Sequence, residues 1–556
     1  MKRFISIFVC MLLLLTACTG NPSGPVSTEA QKTENAATEK ITDALTEAPT
    51  EAPTEAPTEP VTEPVTEPLF KDPDPEVLAA PAATQFTVSR VFSKDMVIQR
   101  NEYIRIWGYA KEDQNGKRVN AEFAGLTGAA LIEDGHWYIT LNGSLPECTE
   151  PRQFRVYGDG VEVTFDGVLV GDVYWMAGQS NAAYNLAGIV GEPLASKEGR
   201  NVVISDDDQI RLHRSTPDDI AGLTVGTVDM NENTPIRRGW QKPKASAYYF
   251  SALGYFTAKQ LYDKLDHKVP IGMIEFAAGG VGINAFCPNE VCDALKIDKA
   301  DKNGVYYAQN VVNNGPSRFM YNHYMYAFQK YAICGIIWYQ GESDMNSKND
   351  EKYPERFAAM IKEYRDRHDL INHDYPVFVV ELPAIWQNFN YSSVRTYMGT
   401  IPNYLNNAHI CQSSDLWKDT TYANNLHPYV KWEQATRMTS IIMANVYGVG
   451  DPEYAEGPSA VSIDFSDGKC TATIKFRNVG DGLKFEGDSL KGIKVKLSSK
   501  LEDPDSVEIV GKDTVVIKTS KAMRSVHYNA TMTDTFPETL TLCNSDGVPC
   551  TAFIFK

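Results

Sequence analysis

Ser180 lies in the segment GDVYWMAGQSN, residues 171–181, directly after a dense apolar run. A buried strand followed at once by Gly-Gln-Ser-Asn brings a hydroxyl to the end of a sheet, where it can attack a carbonyl carbon. Serine is also common in ordinary turns and at helix amino termini. The surrounding residues differ from the G-x-S-x-G turn of the α/β-hydrolases, which argues against that fold.

Two further apolar runs also end in glycine and polar residues. VPIGMIEFAA, residues 269–278, is followed by GGVGIN, and AICGIIWY, residues 332–339, is followed by QGESD. Because ligands of α/β sheets bind beyond the carboxyl ends of the strands, adjacent strands would bring the three turns to one edge. Such an edge supplies a nucleophile together with backbone and amide donors for an oxyanion, which is what acyl transfer requires.

The elements that position these turns follow from the apolar periodicity. From 168 to 450, dense apolar runs alternate with helical patterns such as residues 246–265 and 353–368, which predicts an α/β fold with a parallel sheet and helices on both faces. Short stretches that alternate with a period near two occupy residues 86–167 and 451–556. We therefore predict a central α/β domain flanked by an N-terminal β domain and a C-terminal β-sandwich-like domain.

Four sequence blocks resemble the sialate O-acetylesterase-like branch of the SGNH-type hydrolases. GDVYWMAGQSN is similar to the first motif of that family, IGMIEFAAGGVGINAF to the second and GIIWYQGESD to the third. LHPYVKWEQATRM, residues 426–438, is similar to the last block, in which a His-Pro pair precedes a helix. The resemblance covers residues 86–556. It implies an SGNH-type, flavodoxin-like sheet, a serine nucleophile and a reaction without metal or cofactor.

The resemblance makes Ser180 the nucleophile and His427, one of nine histidines, the base. An imidazole suits that role because it accepts and returns a proton near neutral pH. The family usually places an aspartate two or three residues before this histidine, and the present chain has Asn425 and Asn424 there. An amide can orient the imidazole, but it does not stabilise the imidazolium by charge.

Three explanations of the missing aspartate remain open. The enzyme works with a Ser180–His427 dyad, or a carboxylate from elsewhere in the chain assists, or activity is reduced or absent. Glu342 and Asp415 are the candidate carboxylates. We favour a dyad assisted by Glu342, and a surface loop position fits Asp415 better than a catalytic one.

Further roles are implied for the other residues of the four blocks. The oxyanion would be held by the amide of the nucleophile, a backbone N–H of Gly279 or Gly280, and the side chain of Gln340. Asn181 and Asn284 would contact the sugar, although a buried structural amide fits either residue equally well.

The first residues of the chain indicate export. MKRFISIFVCMLLLLTACTG has two cations, a short apolar run and then small residues, which predicts a signal peptide at residues 1–18. LTAC resembles a bacterial lipobox, which implies lipidation of Cys18; an ordinary signal peptide with an incidental cysteine is the alternative. Residues 19–85 are rich in Thr, Glu and Pro, which predicts an extended stalk. We expect a protein lipid-anchored to the outer face of a bacterial membrane and otherwise extracellular.

Composition excludes one class of partner. The net charge is −18, from 53 basic and 71 acidic residues, which argues against a nucleic-acid binder. Cysteine and histidine do not cluster with the spacing of a structural zinc site. The eight cysteines beyond the first 18 residues, including the pairs Cys287/Cys292 and Cys543/Cys550, leave disulfide pairing open. Nothing in the sequence indicates an oligomeric state.

The predicted function is therefore that of a serine carbohydrate esterase. It would hydrolyse O-acetyl groups of sialic acid or another acetylated glycan through an acyl-enzyme. A surface glycan-binding protein that retains the fold without catalysis is the alternative, and a lipase-like hydrolase is a weaker one. Trp175, Trp338 and Tyr339 would suit an aromatic sugar site, although packing in the core explains them too. The flanking β domains are expected to buttress the site.

Overall fold

The computed structural model describes residues 69–192, 195–206, 208–215, 238–297, 318–344, 350–382, 392–416, 427–530 and 538–556. The predicted signal peptide, Cys18 and most of the predicted stalk lie outside these residues, as do Asn424 and Asn425. Within the described ranges, no helix is both long and apolar enough to cross a bilayer.

The N-terminal region is built from short strands whose alternating side chains give each sheet one buried face. One short helix, α1, spans Pro75–Ala79, and Ala83 is fully buried, so the extended stalk predicted for residues 19–85 is wrong for residues 75–85, which belong to the folded region. The strands are β1 Thr87–Val88, β2 Val97–Gln99, β3 Arg105–Tyr109, β4 Arg118–Phe123, β5 Leu126–Leu131, β6 His136–Thr140, β7 Cys148–Tyr157 and β8 Glu162–Gly178. β1, β3 and β6 form a small antiparallel sheet, and β5, β4, β7 and β8 are neighbours in a larger one. The β region predicted at 86–167 is therefore present.

The central region contains parallel strands that are buried on both faces, as their continuous apolar runs predict. The strands that follow β8 are β9 Ile210–Arg214, β10 Ile271–Ala277, β11 Gly335–Tyr339, β12 Val377–Val380 and β13 Ala408–Cys411. Neighbouring strands pair in parallel in the order β9-β10-β8-β11-β12-β13. Apart from the edge strand β9, this is the flavodoxin-like order 2-1-3-4-5, whose switch point lies at the carboxyl end of β8.

Strand β8 belongs to both regions. Its first half pairs antiparallel with β7, and its second half, from Asp172 onward, pairs in parallel with β10. It is 17 residues long, so the predicted domain boundary between residues 167 and 168 falls inside one strand. The sheet as a whole is therefore mixed, with a parallel central part.

Helices cover both faces of the central sheet. They are α2 Ser180–Ala183, α3 Lys197–Arg200, α4 Pro243–Ser246, α5 Ala252–Lys264, α6 Asn289–Ala294, α7 Tyr353–His368, α8 Ser392–Met398, α9 Lys431–Val446 and α10 Pro452–Ala455. On β8, the Tyr174 hydroxyl lies 3.0 Å from that of Tyr447 at the end of α9. The next residue, Trp175, packs against Tyr364 and His368 of α7. Because consecutive strand residues point to opposite faces, α9 and α7 lie on opposite sides of the sheet.

Short turns of 3-10 or π helix connect these elements. The 3-10 segments are Glu112–Gln114, Leu186–Gly188, Ala247–Tyr249, Ile283–Ala285, Tyr326–Phe328, Glu342–Asp344, Asp350–Lys352, Ile401–Asn403 and Asp467–Lys469, and a π-helical turn spans Tyr321–Met325. Two of them, Ile283–Ala285 and Glu342–Asp344, follow central strands at the edge where the serine turn lies.

The C-terminal region has its own apolar core between two antiparallel sheets. Its strands are β14 Ser459–Ser466, β15 Thr471–Arg477, β16 Lys484–Phe485, β17 Ile493–Lys496, β18 Leu501–Glu502, β19 Ser506–Val510, β20 Thr514–Lys518, β21 Ser525–Tyr528, β22 Leu542–Cys543 and β23 Phe553–Phe555. The two four-stranded sheets have the orders β14-β15-β20-β19 and β18-β17-β21-β23, and β16 pairs with β22. This arrangement agrees with the expected β-sandwich-like architecture.

Backbone contacts join the C-terminal region to the central one. Glu381, directly after β12, accepts a hydrogen bond of 2.7 Å from the Ala552 amide. Arg395 of α8 donates to the carbonyl oxygen of Asn529 at 2.9 Å. A Cβ atom on Gly399 would lie only 1.7 Å from the carbonyl oxygen of Ala552, so only glycine fits there. We refer to these contacts around Glu381, Arg395 and Gly399 as the C-terminal joint.

The eight cysteines in the described part of the chain are all thiols. Cys287 and Cys292 are both buried, and the Cys292 thiol donates to the carbonyl oxygen of Cys287 at 3.8 Å. Cys543 and Cys550 are also free. The disulfides that the sequence left open are therefore not formed among these residues.

Candidate active site

The Ser180 turn is fixed by close backbone packing at the switch point. Ser180 is the first residue of α2 and is half-buried, directly beyond the last residue of β8, Gly178. Gly178 has a φ of 144°, and a Cβ atom there would lie 2.1 Å from the carbonyl oxygen of Tyr339. Glycine is the residue that tolerates such a conformation and such a close approach. The strand therefore ends abruptly, and a single residue, Gln179, leads into the serine.

Gln179 connects the serine turn to the turn after β11. Its backbone N–H donates to the Tyr339 carbonyl at 3.1 Å, and its side-chain Oε1 accepts from the Ser343 amide at 3.0 Å. The same Oε1 accepts from Gln340 Nε2 at 3.1 Å, and that nitrogen also lies 3.1 Å from the carbonyl oxygen of Val281 in the third turn. The three polar turns therefore meet at one edge of the sheet, which confirms the prediction made from their sequences.

Gln340 is held by protein groups on all sides. Its side chain is fully buried, and Nε2 lies 2.6 Å from Asp344 Oδ2 in addition to its contacts with Gln179 and Val281. Its Oε1 accepts from the Tyr353 hydroxyl at 2.9 Å. An amide has two N–H donors, and three acceptors already surround these. The geometry gives Gln340 the task of holding the turns together, and donating to an oxyanion would require it to leave one of these acceptors.

The glycine turn after β10 lies beside the serine turn. The Ala278 amide donates to the Gly178 carbonyl at 3.2 Å, which fixes the start of the turn against the end of β8. Gly279 and Gly280 follow and are half-buried, and Gly280 has a φ of 70°, which favours glycine. Both predicted oxyanion glycines are thus at the same edge as Ser180.

A buried chain of polar groups runs behind the nucleophile. Asn181 Nδ2 donates to Glu342 Oε1 at 2.6 Å, and Asn181 Oδ1 accepts from Lys431 Nζ at 2.9 Å. Lys431 is the first residue of α9 and is fully buried, with its ammonium 4.6 Å from the centre of the Tyr339 ring. The amide next to Ser180 is therefore clamped between a carboxyl and an ammonium. We refer to Glu342, Asn181 and Lys431 as the buried relay.

Burial shifts the titration of both charged ends of the buried relay. It raises the pKa of Glu342 to about 7, against the opposing effects of the Asn181 hydrogen bond and of Lys431. It lowers the pKa of Lys431 to about 7, which the Glu342 charge opposes. Perturbed groups of this kind cluster at functional sites, because desolvation and specific partners tune them together.

His427 packs on the same turn. Its ring stacks on Tyr184, with centroids 5.5 Å apart and planes inclined by 14°. Tyr184 directly follows α2, so the histidine lies on the element that begins with Ser180. Burial, followed by the charge of Lys431, lowers the pKa of His427 to about 4. The imidazole is therefore neutral at physiological pH, as a general base must be.

Neither candidate carboxylate hydrogen-bonds the imidazole within the described residues. Glu342 Oε1 accepts from Asn181, so the expected assistance is not a direct contact with His427, and the charge that acts on the imidazole is that of Lys431. Asp415 forms a two-pronged ion pair with Arg437 of α9, with distances of 2.5 and 2.6 Å. Asp415 therefore holds a loop to a helix, which agrees with the non-catalytic interpretation.

The residues expected to contact sugar are buried. Asn181 and Asn284 are 1% and 4% exposed, and Asn284 Oδ1 accepts from Arg356 at 2.7 Å. These contacts favour the structural alternative for both amides. Trp175, Trp338 and Tyr339 lie in the core, so the interpretation of these rings as an aromatic sugar site is wrong.

Three residues of this site were missed by sequence reasoning. Lys431 follows His427 by four residues, one helical turn, and that spacing was the available signal. Tyr184 likewise follows Ser180 by four residues, and Gln179 directly precedes Ser180. Among the described residues, no group of three or more His, Cys, Asp or Glu side chains is arranged to hold a metal ion.

The sheet order, the serine at its switch point and the three joined turns define an α/β esterase fold. Residues 170–431 match the family model described as "Carbohydrate esterase, sialic acid-specific acetylesterase".

Relatives and a solved structure agree with this match. The chain is 24% identical over 317 residues to the sialate O-acetylesterases of Pongo abelii and Homo sapiens, covering 53% of this chain and 57% of each relative. It thus spans little more than half the length of these relatives. The crystal structure of a carbohydrate acetylesterase from Xanthomonas citri superposes with a TM-score of 0.68 at 22% identity, covering 85% of this chain and 100% of that one. That similarity shows a shared fold.

Proposed function

We propose that this protein is a serine esterase that removes O-acetyl groups from carbohydrates. The observation that carries the proposal is the position of Ser180, at the switch point of the sheet and on the element whose Tyr184 stacks on His427. The match of residues 170–431 to a carbohydrate esterase family model supports acetyl esters of sugars as the substrate class.

The reaction would proceed in two balanced steps. Neutral His427 takes the Ser180 hydroxyl proton while Oγ bonds to the acetyl carbonyl carbon. The tetrahedral oxyanion then collapses, the bond to the sugar oxygen breaks, and that oxygen receives the proton from His427. Water repeats the sequence on the acetyl-enzyme and releases acetate and free Ser180.

The oxyanion would be stabilised chiefly by backbone donors. The amide of Ser180 and that of Gly279 or Gly280 lie at the edge where the carbonyl oxygen would be placed. Each such donor contributes about a hundredfold or more to turnover. Gln340 would act mainly by keeping the three turns in register, because its own donors bind protein groups.

The absence of the usual aspartate favours a dyad whose histidine is kept neutral. The charge of Lys431 opposes protonation of His427 in the free enzyme, and the counter-charge of Glu342 limits that effect. Tyr184 supplies the ring face that orients the imidazole. Tyr184, rather than the buried relay, would thus take over part of the orienting function of an acid residue.

We further propose that the enzyme works outside the cell at the end of a stalk. The signal-peptide pattern, Cys18 in the LTAC segment and the Thr-Glu-Pro repeats at residues 46–68 support a lipid anchor with an extended spacer. A tethered enzyme at that distance suits polymeric or surface-bound acetylated glycans.

Acetate release from a panel of O-acetylated sugars, including O-acetylated sialic acid and acetylated xylan, tests the proposal. We expect the purified protein to release acetate from at least one of them and Ser180→Ala to lose at least about a thousandfold in kcat/KM. Ser343→Ala, a neighbouring serine whose backbone N–H bond to Gln179 is retained, is the matched control and should stay within about threefold.

A negative result in the acetate assay would identify an alternative function. A folded parent that releases no acetate but still binds the sugars would overturn the esterase proposal and leave a glycan-binding protein. Equal activity of parent and Ser180→Ala would assign the chemistry to another residue.

A further inference from the structure

The outer face of the small N-terminal sheet carries aromatic rings. On β6, Trp137 and Ile139 point into the core, whereas His136 and Tyr138 alternate with them on the solvent side. Trp107 and Tyr138 occupy directly paired positions on β3 and β6, and so do Tyr109 and His136. Polar residues normally cover such a face, so four rings here are unusual for a surface.

These rings form one wall of a cavity of about 360 Å³, and the turn that contains Tyr326–Phe328 forms the other. The Trp107 and Tyr138 rings are nearly parallel, with an inclination of 23° and centroids 6.0 Å apart, and both present aromatic surface to this cavity. Tyr138 is 40% exposed. The volume is in the range of small-molecule sites. We refer to it as the aromatic cavity.

Lys330 adds a cation to the rim of the aromatic cavity. It forms neither a hydrogen bond nor an ion pair with any other residue that the structure describes. Burial and the charges of Arg105 and Arg367 lower the pKa of its ammonium, and only Asp369 opposes them. Asp369 is itself paired with Arg105, at 3.2 Å. Arg367 is likewise paired, with Glu290 and Glu363, so among these three cations Lys330 is the one that no described carboxylate pairs with, and it favours an anion.

The aromatic cavity is separate from the active site. The turn 326–330 precedes β11 at its amino end, whereas the Glu342 turn follows that strand at its carboxyl end. Strand β11 has five residues, which corresponds to about 16 Å. The two sites therefore lie at opposite edges of the sheet.

We propose that the aromatic cavity binds a saccharide that carries a carboxylate. The C–H face of a pyranose ring would lie on the Trp107 and Tyr138 rings, whose faces carry negative electrostatic potential and attract polarised C–H groups. Lys330 would hold the carboxylate. Gln329 and His136 on the rim supply donors and acceptors for hydroxyl groups. A site of this kind would hold an acidic glycan while another part of it is processed.

Affinity gel electrophoresis of the full chain tests this proposal. The Ser180→Ala variant excludes turnover, and the gels contain polygalacturonate, polysialate or the neutral hydroxyethyl cellulose. We expect retardation by at least one of the two acidic polymers and little by the neutral one. Tyr138→Ser should weaken that binding by about tenfold, from the loss of ring contact. Tyr404→Ser, an equally exposed tyrosine elsewhere, is the control and should bind like the parent.

A charge variant tests the class of sugar. Lys330→Met should weaken binding to the acidic polymer at least fivefold in low salt, and the difference should shrink as salt screens the charge. In chains that retain Ser180, both variants should cleave a small soluble acetate ester like the parent, which separates this site from the esterase function.

Three results would overturn the inference. The first is a parent that neither acidic polymer retards, and the second is unchanged binding by Tyr138→Ser. The third is equal retardation by acidic and neutral polymers together with unchanged binding by Lys330→Met. That result would show that the cavity does not recognise a carboxylate. None of these results depends on whether Ser180 is a nucleophile.

Discussion

Two buried carboxyl groups at neighbouring strand ends serve different purposes. Glu342 follows β11 and Glu381 follows β12, they are 2% and 0% exposed, and burial raises the pKa of both to about 7. Glu342 bonds to the amide of Asn181 and lies in the field of Lys431. Glu381 accepts from the backbone of Ala552 in the C-terminal joint.

The difference shows that burial and a raised pKa do not by themselves mark a catalytic group. The partner decides the role: an amide beside the nucleophile in one case, a backbone N–H from another sheet in the other. Structural networks perturb titration as strongly as active sites do. The five predictions below test whether Glu342 and Glu381 really differ in this way.

Loss of the Lys431 cation should have the largest effect on stability. At pH 7, where both charged ends of the buried relay are partly ionised, Lys431→Met should lower the free energy of unfolding by about 3 kcal/mol, because it leaves Glu342 buried without its counter-charge. The double variant Glu342→Gln/Lys431→Met should recover most of that loss. Urea denaturation of the three proteins and the parent measures the effect. If Lys431→Met were as stable as the parent, the charges of Glu342 and Lys431 would not stabilise one another.

The C-terminal joint should be sensitive to pH. The pKa of Glu381 is raised in the folded protein, so its contribution to stability is complete below pH 4.5 and is lost as the pH rises through about 7. The loss should reach about 3 kcal/mol at alkaline pH, and Glu381→Gln should abolish it. Unfolding curves at pH 5 and pH 8 measure it, with the exposed Glu122→Gln as control. An equal loss of stability between pH 5 and pH 8 in the parent and in Glu381→Gln would show that Glu381 is not the group that titrates.

Activity should separate the two carboxyl groups. We expect Glu342→Gln to lower kcat/KM about thirtyfold, because a mispositioned turn raises the barrier without loss of the nucleophile. Glu381→Gln should stay within about twofold, since it touches neither Ser180 nor His427. Initial rates on the best acetylated sugar provide the measurement. Equal losses in the two variants would remove the distinction.

The acid limb of the rate profile should report the charge of Lys431. A base with a pKa of about 4 stays neutral above that pH, so kcat/KM should decline only near pH 4. Lys431→Met removes the charge that, after burial, lowers the pKa of His427, and it should move the acid limb of the rate profile upward by about one pH unit. Initial rates between pH 3.5 and 7 locate the acid limb of the parent and of Lys431→Met. An acid limb near pH 6.5 in the parent would show that His427 is solvated.

Asp415 should have the smallest effect on catalysis. It pairs with Arg437 rather than with the imidazole, so Asp415→Asn should leave kcat/KM within about twofold of the parent. The same assay measures it. A loss above tenfold would make Asp415 the acid partner of His427 after all.

Local sequence was sufficient to predict the chemistry-bearing turns. Ser180, the glycine pair and Gln340 each follow an apolar run directly, and the order of parallel strands brings such ends together. The same reasoning failed where a distant contact decides the outcome. The helical pattern at 246–265 is continuous, yet α5 begins only at Ala252, because Ser251 caps it while its amide donates to Glu275 of β10 at 2.9 Å.

Burial of polar groups was also invisible in the sequence. A lysine near the start of an amphipathic helix normally points to solvent, and nothing local shows that Lys431 is enclosed by Asn181 and Tyr339. The donors of Gln340 are taken by residues from three separate turns, which no spacing rule reveals. The domain boundary at 167/168 failed for a different reason, since Asp166-Gly167 is typical of a turn but lies inside β8, where the strand simply continues.

The continuous strand β8 has a consequence for the order of folding. Its first half pairs with β7, its neighbour in sequence, and this local hairpin costs little chain entropy. Its partners β10 and β11 lie about a hundred residues or more further along the chain. We expect the hairpin to form during synthesis and to present an edge on which the later strands assemble. Deletion of residues 69–160 should therefore abolish folding of the esterase region, rather than release it as a smaller enzyme.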